Sequence, residues 1–138
     1  MGRGSPRTQE CSERDAKTRL EHARKFLEVA TLVADEGEDV EYGSAAAALS
    51  VLAGIAASDA ACCKALGRRS RGQDHRQAIE LVEQVEPGGR DAGKALRRLL
   101  ALKDEAHYGL FDVSGNDLKA ALRQGTAIVD FAAGVLLR

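Results

Sequence analysis

Apolar residues recur along this chain at intervals of three and four, the spacing that places them on one face of a helix. Leu20, Ala23, Leu27, Ala30 and Ala34 form the first such stripe, widened by Phe26, Val29 and Val33, and predict a helix from about Ser12 to Ala34. A second stripe, Ala45, Leu49, Leu52, Ala56, Asp59, Cys63 and Leu66, predicts a helix from about Tyr42 to Leu66 that stops at Gly67. His75, Ala78, Ile79 and Val82 mark a short third helix, capped by Asp74 and ended by Glu86-Pro87-Gly88-Gly89. A fourth runs from about Arg90 to Tyr108, closed by Gly109. A fifth covers about Gly115 to Leu137, with Leu118, Leu122, Gly125, Val129, Ala132 and Leu136 on one face. Ser114 and Asp117 open it in the manner of a capping box. Gly125 in its interior marks a close helix crossing.

Five helices with short connections define an all-α fold, an antiparallel four/five-helix bundle. Residues 13–138 read as one domain and residues 1–12 as a disordered tail. Aromatic residues are only 4 % and tryptophan is absent, so alanine and leucine must do the packing. The uncharged run from Tyr42 to Ser58 tempts a membrane reading. Its Ala, Ser and Gly content and its bounding acids Glu41 and Asp59 make it a buried helix of a soluble protein instead, with no membrane partner.

Charge changes this picture in three places. The helix 1–2 connection, Asp35-Glu36-Gly37-Glu38-Asp39-Val40-Glu41, reads as a solvated acidic loop with Gly37 as the C-cap, or as a docking patch for a basic partner. Lys64, Arg68, Arg69, Arg71 and Arg76 gather around the helix 2–3 connection, either as a solvated loop or as a site for an anion or an RNA backbone. Asp59 is a carboxylate on an otherwise apolar stripe and needs a partner, since an unpaired buried charge costs several kcal/mol by a rough estimate.

The fourth helix carries the candidate chemistry. Leu96, Leu100, Lys103 and His107 fall on one stripe, so a cation and an imidazole follow two leucines toward a partner or a cleft. His75 on the inner face of the third helix reads as a capping or core histidine. The three cysteines, two of them adjacent, do not make a disulfide framework and read as reduced thiols of a cytoplasmic protein. The histidines lack ligand spacing, so no metal site is expected, and no glycine-rich phosphate loop follows a strand, so no cofactor is expected. A net charge of −1 does not by itself announce a nucleic-acid binder.

Two segments resemble the HEPN superfamily of small helical proteins. Ala53-Gly54-Ile55-Ala56-Ala57-Ser58-Asp59-Ala60, followed by Leu66-Gly67-Arg68, is similar to the second HEPN helix, with its small residues and an acid ahead of a glycine. Leu102-Lys103-Asp104-Glu105-Ala106-His107-Tyr108-Gly109 is similar to the late-helix pattern of a basic residue, two variable positions, alanine, a polar residue and tyrosine. The likeness spans roughly residues 15–137. It implies a HEPN-like bundle acting as a homodimer.

Active members of that superfamily are metal-independent ribonucleases that use an arginine and, four to six positions on, a histidine. His107 matches the histidine, but Leu100, Ala101 and Leu102 stand where the arginine belongs. Lys103 offers charge without the two-donor grip of arginine. The resemblance therefore implies a non-catalytic or weakly active module that binds RNA, a nucleotide or a protein partner, with Lys103 paired to Asp59 and Tyr108 hydrogen-bonded near the helix end. The alternatives are a structural adaptor and an endoribonuclease toxin. In the latter, His107 is the acid/base and Lys103 or Arg98 the phosphate holder, beside an antitoxin or nucleotidyltransferase partner.

Overall fold

A computed structural model describes residues 8–35, 40–71, 75–108 and 113–138, with the side chains at 40 and 104–108 outside that description. Among the described residues there are five helices: α1 (Glu13–Asp35), α2 (Val40–Leu66), α3 (His75–Glu83), α4 (Gly89–Tyr108) and α5 (Gly115–Leu136). Two three-residue strands, β1 (Thr8–Glu10) and β2 (Arg68–Ser70), pair antiparallel with Gln9 opposite Arg69. The all-α class stands. The acidic loop at 36–39, with its Gly37 cap, lies outside the described residues, as do Asp74 and Gly109.

α2 is the central element, with α1, α5, α4, α3 and β2 all packed around it. Its sequence explains how one helix can have so many neighbours. Ala46, Ala47, Ala53, Ala56, Ala57, Ala60 and Ala61 are buried, and their short side chains let adjacent backbones approach. α2 is long and apolar enough to cross a membrane, but most of that stretch is buried inside the bundle, as in the core helix of a soluble protein. Because neighbours surround it, its inward residues do not follow one stripe. Ala46, Ala47, Ser50 and Val51 line the core, whereas Ala45 and Leu52, expected on the buried stripe, are exposed. Val29 of α1, expected to widen the first stripe, is also exposed.

Larger side chains fill the space that the alanines leave. Leu96 and Leu99 of α4 and Ile128 and Val135 of α5 are fully buried against α2. Gly54 is a point of close approach between α2 and α4. A Cβ built there would run into Leu99 and lie 3.3 Å from Ile128 Cδ1. The crossing expected at Gly125 is present too, where a Cβ would lie 3.4 Å from the Ser50 carbonyl oxygen.

The ends are tied by short-range polar contacts. Ser114 caps α5 and accepts from the Asp117 amide at 3.1 Å, as its sequence suggested. Ser12 and Asp15 form a reciprocal capping pair on α1: the Ser12 amide donates to Asp15 Oδ2 at 2.8 Å, and the Asp15 amide to Ser12 Oγ at 3.1 Å. These hydrogen bonds hold the Asp15 carboxyl below the usual carboxylate range. Arg138 donates to the carbonyls of Glu86 and Pro87 and so clasps the α3–α4 turn.

Two expectations for the N-terminal segment are corrected. Residues 8–12 are ordered: β1 pairs with β2, and the Cys11 amide donates to the Gly67 carbonyl at 3.0 Å. Cys11 and Cys63 are joined in a disulfide across 52 residues of chain, so only Cys62 is a free thiol. The adjacent pair Cys62–Cys63 hid this pairing, because residues next to each other on a helix point apart and cannot bridge. Cys63 has its partner on a different segment.

Substituting Gly54→Val tests the central crossing. Overpacking a fully buried site costs about 1–3 kcal/mol, so urea unfolding should show a loss of that order. An unchanged midpoint would mean that α2 and α4 do not meet at Gly54.

Candidate functional site

Asp59 lies on the inner side of α2, 8 % exposed, where α1 and β2 both pass. Arg19 of α1 donates to its Oδ2 through Nε at 3.2 Å and through a terminal nitrogen at 3.0 Å. Arg69 of β2 donates to the same oxygen at 3.1 Å. The side chains of Arg19 and Arg69 are 25 % and 31 % exposed, so they carry part of their charge to solvent while serving a buried acid. Arg69 reaches further and donates to Gln9 Oε1 on β1 at 3.2 Å.

This corrects the expected pairing of Asp59 with Lys103. The acid needed a partner, as its place on an apolar face implied, but two arginines supply it. Lys103 Nζ instead lies 3.1 Å from His75 Nε2. Lys64, counted with the basic cluster, is paired with Glu13 at 3.0 Å.

Lys103 and Asp59 nonetheless line the same cavity. A cavity of about 240 Å³ opens between α2, β2, α3 and α4, lined by Ile55, Ser58, Asp59, Arg69, Ser70 and Arg71, with His75, Ala78, Leu96, Leu100 and Lys103 opposite. The sequence of each element explains its contribution. On α4 the stripe Leu96, Leu100, Lys103 runs along the cavity from its apolar floor to a charged rim. On α3 the inward face is His75 and Ala78, with Ile79 and Val82 buried behind. The extended β2 delivers Arg69, Ser70 and the following Arg71 to one side. Arg69, Arg71 and Lys103 thus line the cavity with one carboxylate, Asp59, which Arg19 and Arg69 already hold. The Ser70 hydroxyl oxygen is buried and has no hydrogen-bond partner.

The remaining residues singled out by sequence lie elsewhere. Arg68 lines a shallow depression with Glu10, Cys11 and Gly67, away from the cavity. Arg76 is exposed on α3. His107 and Tyr108 belong to the last turn of α4, and their side chains lie outside the described residues.

Sequence reasoning missed Arg19 and Gln9 and took His75 for a capping or core residue. Arg19 had a signal: it falls three residues after Ala16 and four before Ala23, both fully buried, and so is a charge on a packed face, like Asp59. Gln9 had none.

Burial is the largest influence on Asp59 and pushes its carboxyl above the usual range, and the charges and hydrogen bonds of Arg19 and Arg69 pull it back only in part. Burial likewise pushes the Cys62 thiol up to about 12, with Asp59 adding to the effect. No protein-family model matches this chain, and no curated protein matches it.

Because folded Asp59 holds its proton more tightly than the unfolded chain does, its stabilising contribution is complete below about pH 4. It is lost as pH rises through the elevated folded-state value. Urea unfolding of wild type and Asp59→Asn across that range should show the wild type losing stability relative to the variant as pH rises. A difference independent of pH would contradict the elevated value.

Proposed function

We propose that this chain is a non-catalytic, HEPN-like helical module that binds a phosphate-bearing ligand, an RNA or a nucleotide, in the cavity between α2, β2, α3 and α4. The convergence of Arg69, Arg71 and Lys103 on one small cavity carries the reading. Guanidinium and ammonium groups are the usual donors to phosphate oxygens. The size of the cavity refines it. Sites that enclose a whole drug-sized ligand run to about 300–1,000 Å³, so a cavity of about 240 Å³ takes a phosphate or pyrophosphate group and leaves the rest of the ligand outside.

The site is organised for binding rather than reaction. Lys103 is held against His75, and the acid that sequence would pair with Lys103 is occupied by Arg19 and Arg69. The apolar floor of Ile55, Leu96 and Leu100 raises the strength of charge interactions above it by displacing water. We extend the proposal to a homodimer, with the exposed Val29 and Leu32 of α1 as apolar surface for it to cover. A solution mass tests that part.

Titration with inorganic pyrophosphate and with a short 5′-phosphorylated RNA tests the binding. Hydrogen bonds to charged groups are worth about 1.5–3 kcal/mol, so Arg71→Ala and Lys103→Ala should each weaken binding by about tenfold or more, and rising salt should weaken it further. Lys119→Ala, on the exposed side of α5, should leave it unchanged. Equal affinity in all four proteins would overturn the assignment. RNA cleavage in EDTA that disappears in His107→Ala would replace binding with the endoribonuclease reading.

A further inference from the structure

We propose that the Cys11–Cys63 disulfide is a redox latch on the cavity: its reduction releases β1 from β2 and loosens the wall that carries Arg69, Ser70 and Arg71. The proposal deepens the phosphate-binding reading and rests on it for the ligand, while the release of β1 stands on its own observations.

The first observation is what holds β1. The ribbon is three residues long on each side, with Thr8 opposite Ser70, Gln9 opposite Arg69 and Glu10 opposite Arg68. An isolated two-stranded ribbon is marginal in water even when longer. Arg69 to Gln9 adds a side-chain bond to the ladder, and the adjacent Cys11 is tied by its amide bond to the Gly67 carbonyl. None of these strand residues is buried. The disulfide to Cys63 ties the segment covalently to α2.

The second observation is what β2 does. Among the described residues it is the strand β1 pairs with, and it brings Arg69 and Ser70 to the cavity, with Arg71 following. Arg69 is held from two sides, by Asp59 on α2 and by Gln9 on β1. Releasing β1 removes one of these and the whole ladder with it.

The third observation is access. Cys63 is 3 % exposed, but Cys11 is partly exposed and lines an open depression with Glu10, Ser12, Asp15 and Arg68. A second depression that reaches both cysteines is lined by Arg19 and Arg69 together with Glu10 and Asp15. The two acids line both depressions, so access to the Cys11 sulfur, rather than the local charge, makes the bond open to exchange. A dithiol reductant attacks the Cys11 sulfur, forming a mixed disulfide and expelling Cys63 as a thiolate that takes up a proton. The reductant's second thiol then closes its own disulfide and leaves Cys11 as a thiol, so two electrons pass and the reductant is oxidised. Cys62, buried and adjacent on the helix, keeps its proton and does not compete.

The test compares oxidised wild type, the same protein treated with dithiothreitol, Cys11→Ser and Cys62→Ser. Amide hydrogen exchange reads the ribbon, far-UV circular dichroism reads the helices, and pyrophosphate titration reads the cavity. Reduction is expected to remove amide protection at residues 68–70 while the helical signal persists. Two or three side chains lose their pre-set positions, which corresponds to a fall in pyrophosphate affinity of about tenfold. Cys11→Ser should behave as reduced wild type and ignore dithiothreitol, and Cys62→Ser should respond as wild type does. Retained protection at 68–70 after reduction, loss of the helical signal on reduction, or lost protection with unchanged pyrophosphate affinity would each overturn the latch. If neither redox form binds pyrophosphate, the phosphate-binding reading fails, and the exchange measurement alone upholds or overturns the release of β1.

Discussion

Three nitrogen donors from two arginines close on one oxygen of Asp59, and that cluster fixes the positions of four segments at once. Asp59 belongs to α2, Arg19 to α1 and Arg69 to β2, and through Gln9 the cluster extends to β1. Apolar packing between alanine-rich helices is permissive about rotation and register, because small side chains present smooth surfaces. A buried carboxylate is not permissive: it must meet its donors or pay a desolvation cost of several kcal/mol by rough estimate. Asp59 therefore sets how α1 lies on α2 and where the chain leaving α2 must turn.

The cavity is a consequence of that arrangement. Arg69 turned toward Asp59 leaves β2 alongside the gap between α2 and α4, and α3 then begins at His75 on the far side. The small residues of α2 and α3 that face the gap, Ser58 and Ala78, do not fill it, and Lys103 is drawn across to His75. A site with several cations and one satisfied acid retains an excess of positive charge over a floor of aliphatic side chains. Such a floor makes the charges more effective than they would be in open water.

The helices were legible in the sequence because their apolar periods are long and their breaks are marked by glycine, proline and capping residues. α5 begins after Ser114 and α2 ends before Gly67 in both readings. Asp59 and Lys103 were legible as polar residues on apolar stripes. Their partners were not, because a stripe gives the direction of a side chain relative to its own helix and says nothing of how neighbouring helices are turned. The outward placement of Ala45 and Leu52 has the same origin: a helix surrounded on most sides has no single apolar face to read. The ribbon left no trace, since Thr8-Gln9-Glu10 and Arg68-Arg69-Ser70 are too short and too polar to alternate. With the ribbon hidden, Cys11 looked like part of a tail, and the disulfide that joins it to Cys63 had no visible second end.

The organising role of Asp59 is tested most directly by a double-mutant cycle between Asp59→Asn and Arg19→Met, read by urea unfolding at neutral pH. Residues in one buried hydrogen-bonded pair couple by about 0.5–3 kcal/mol. A favourable coupling in that range is expected, with the Asp59→Asn substitution costing less once Arg19 is gone. Strict additivity of the two substitutions would mean that the pair does not hold α1 to α2 and would contradict the account.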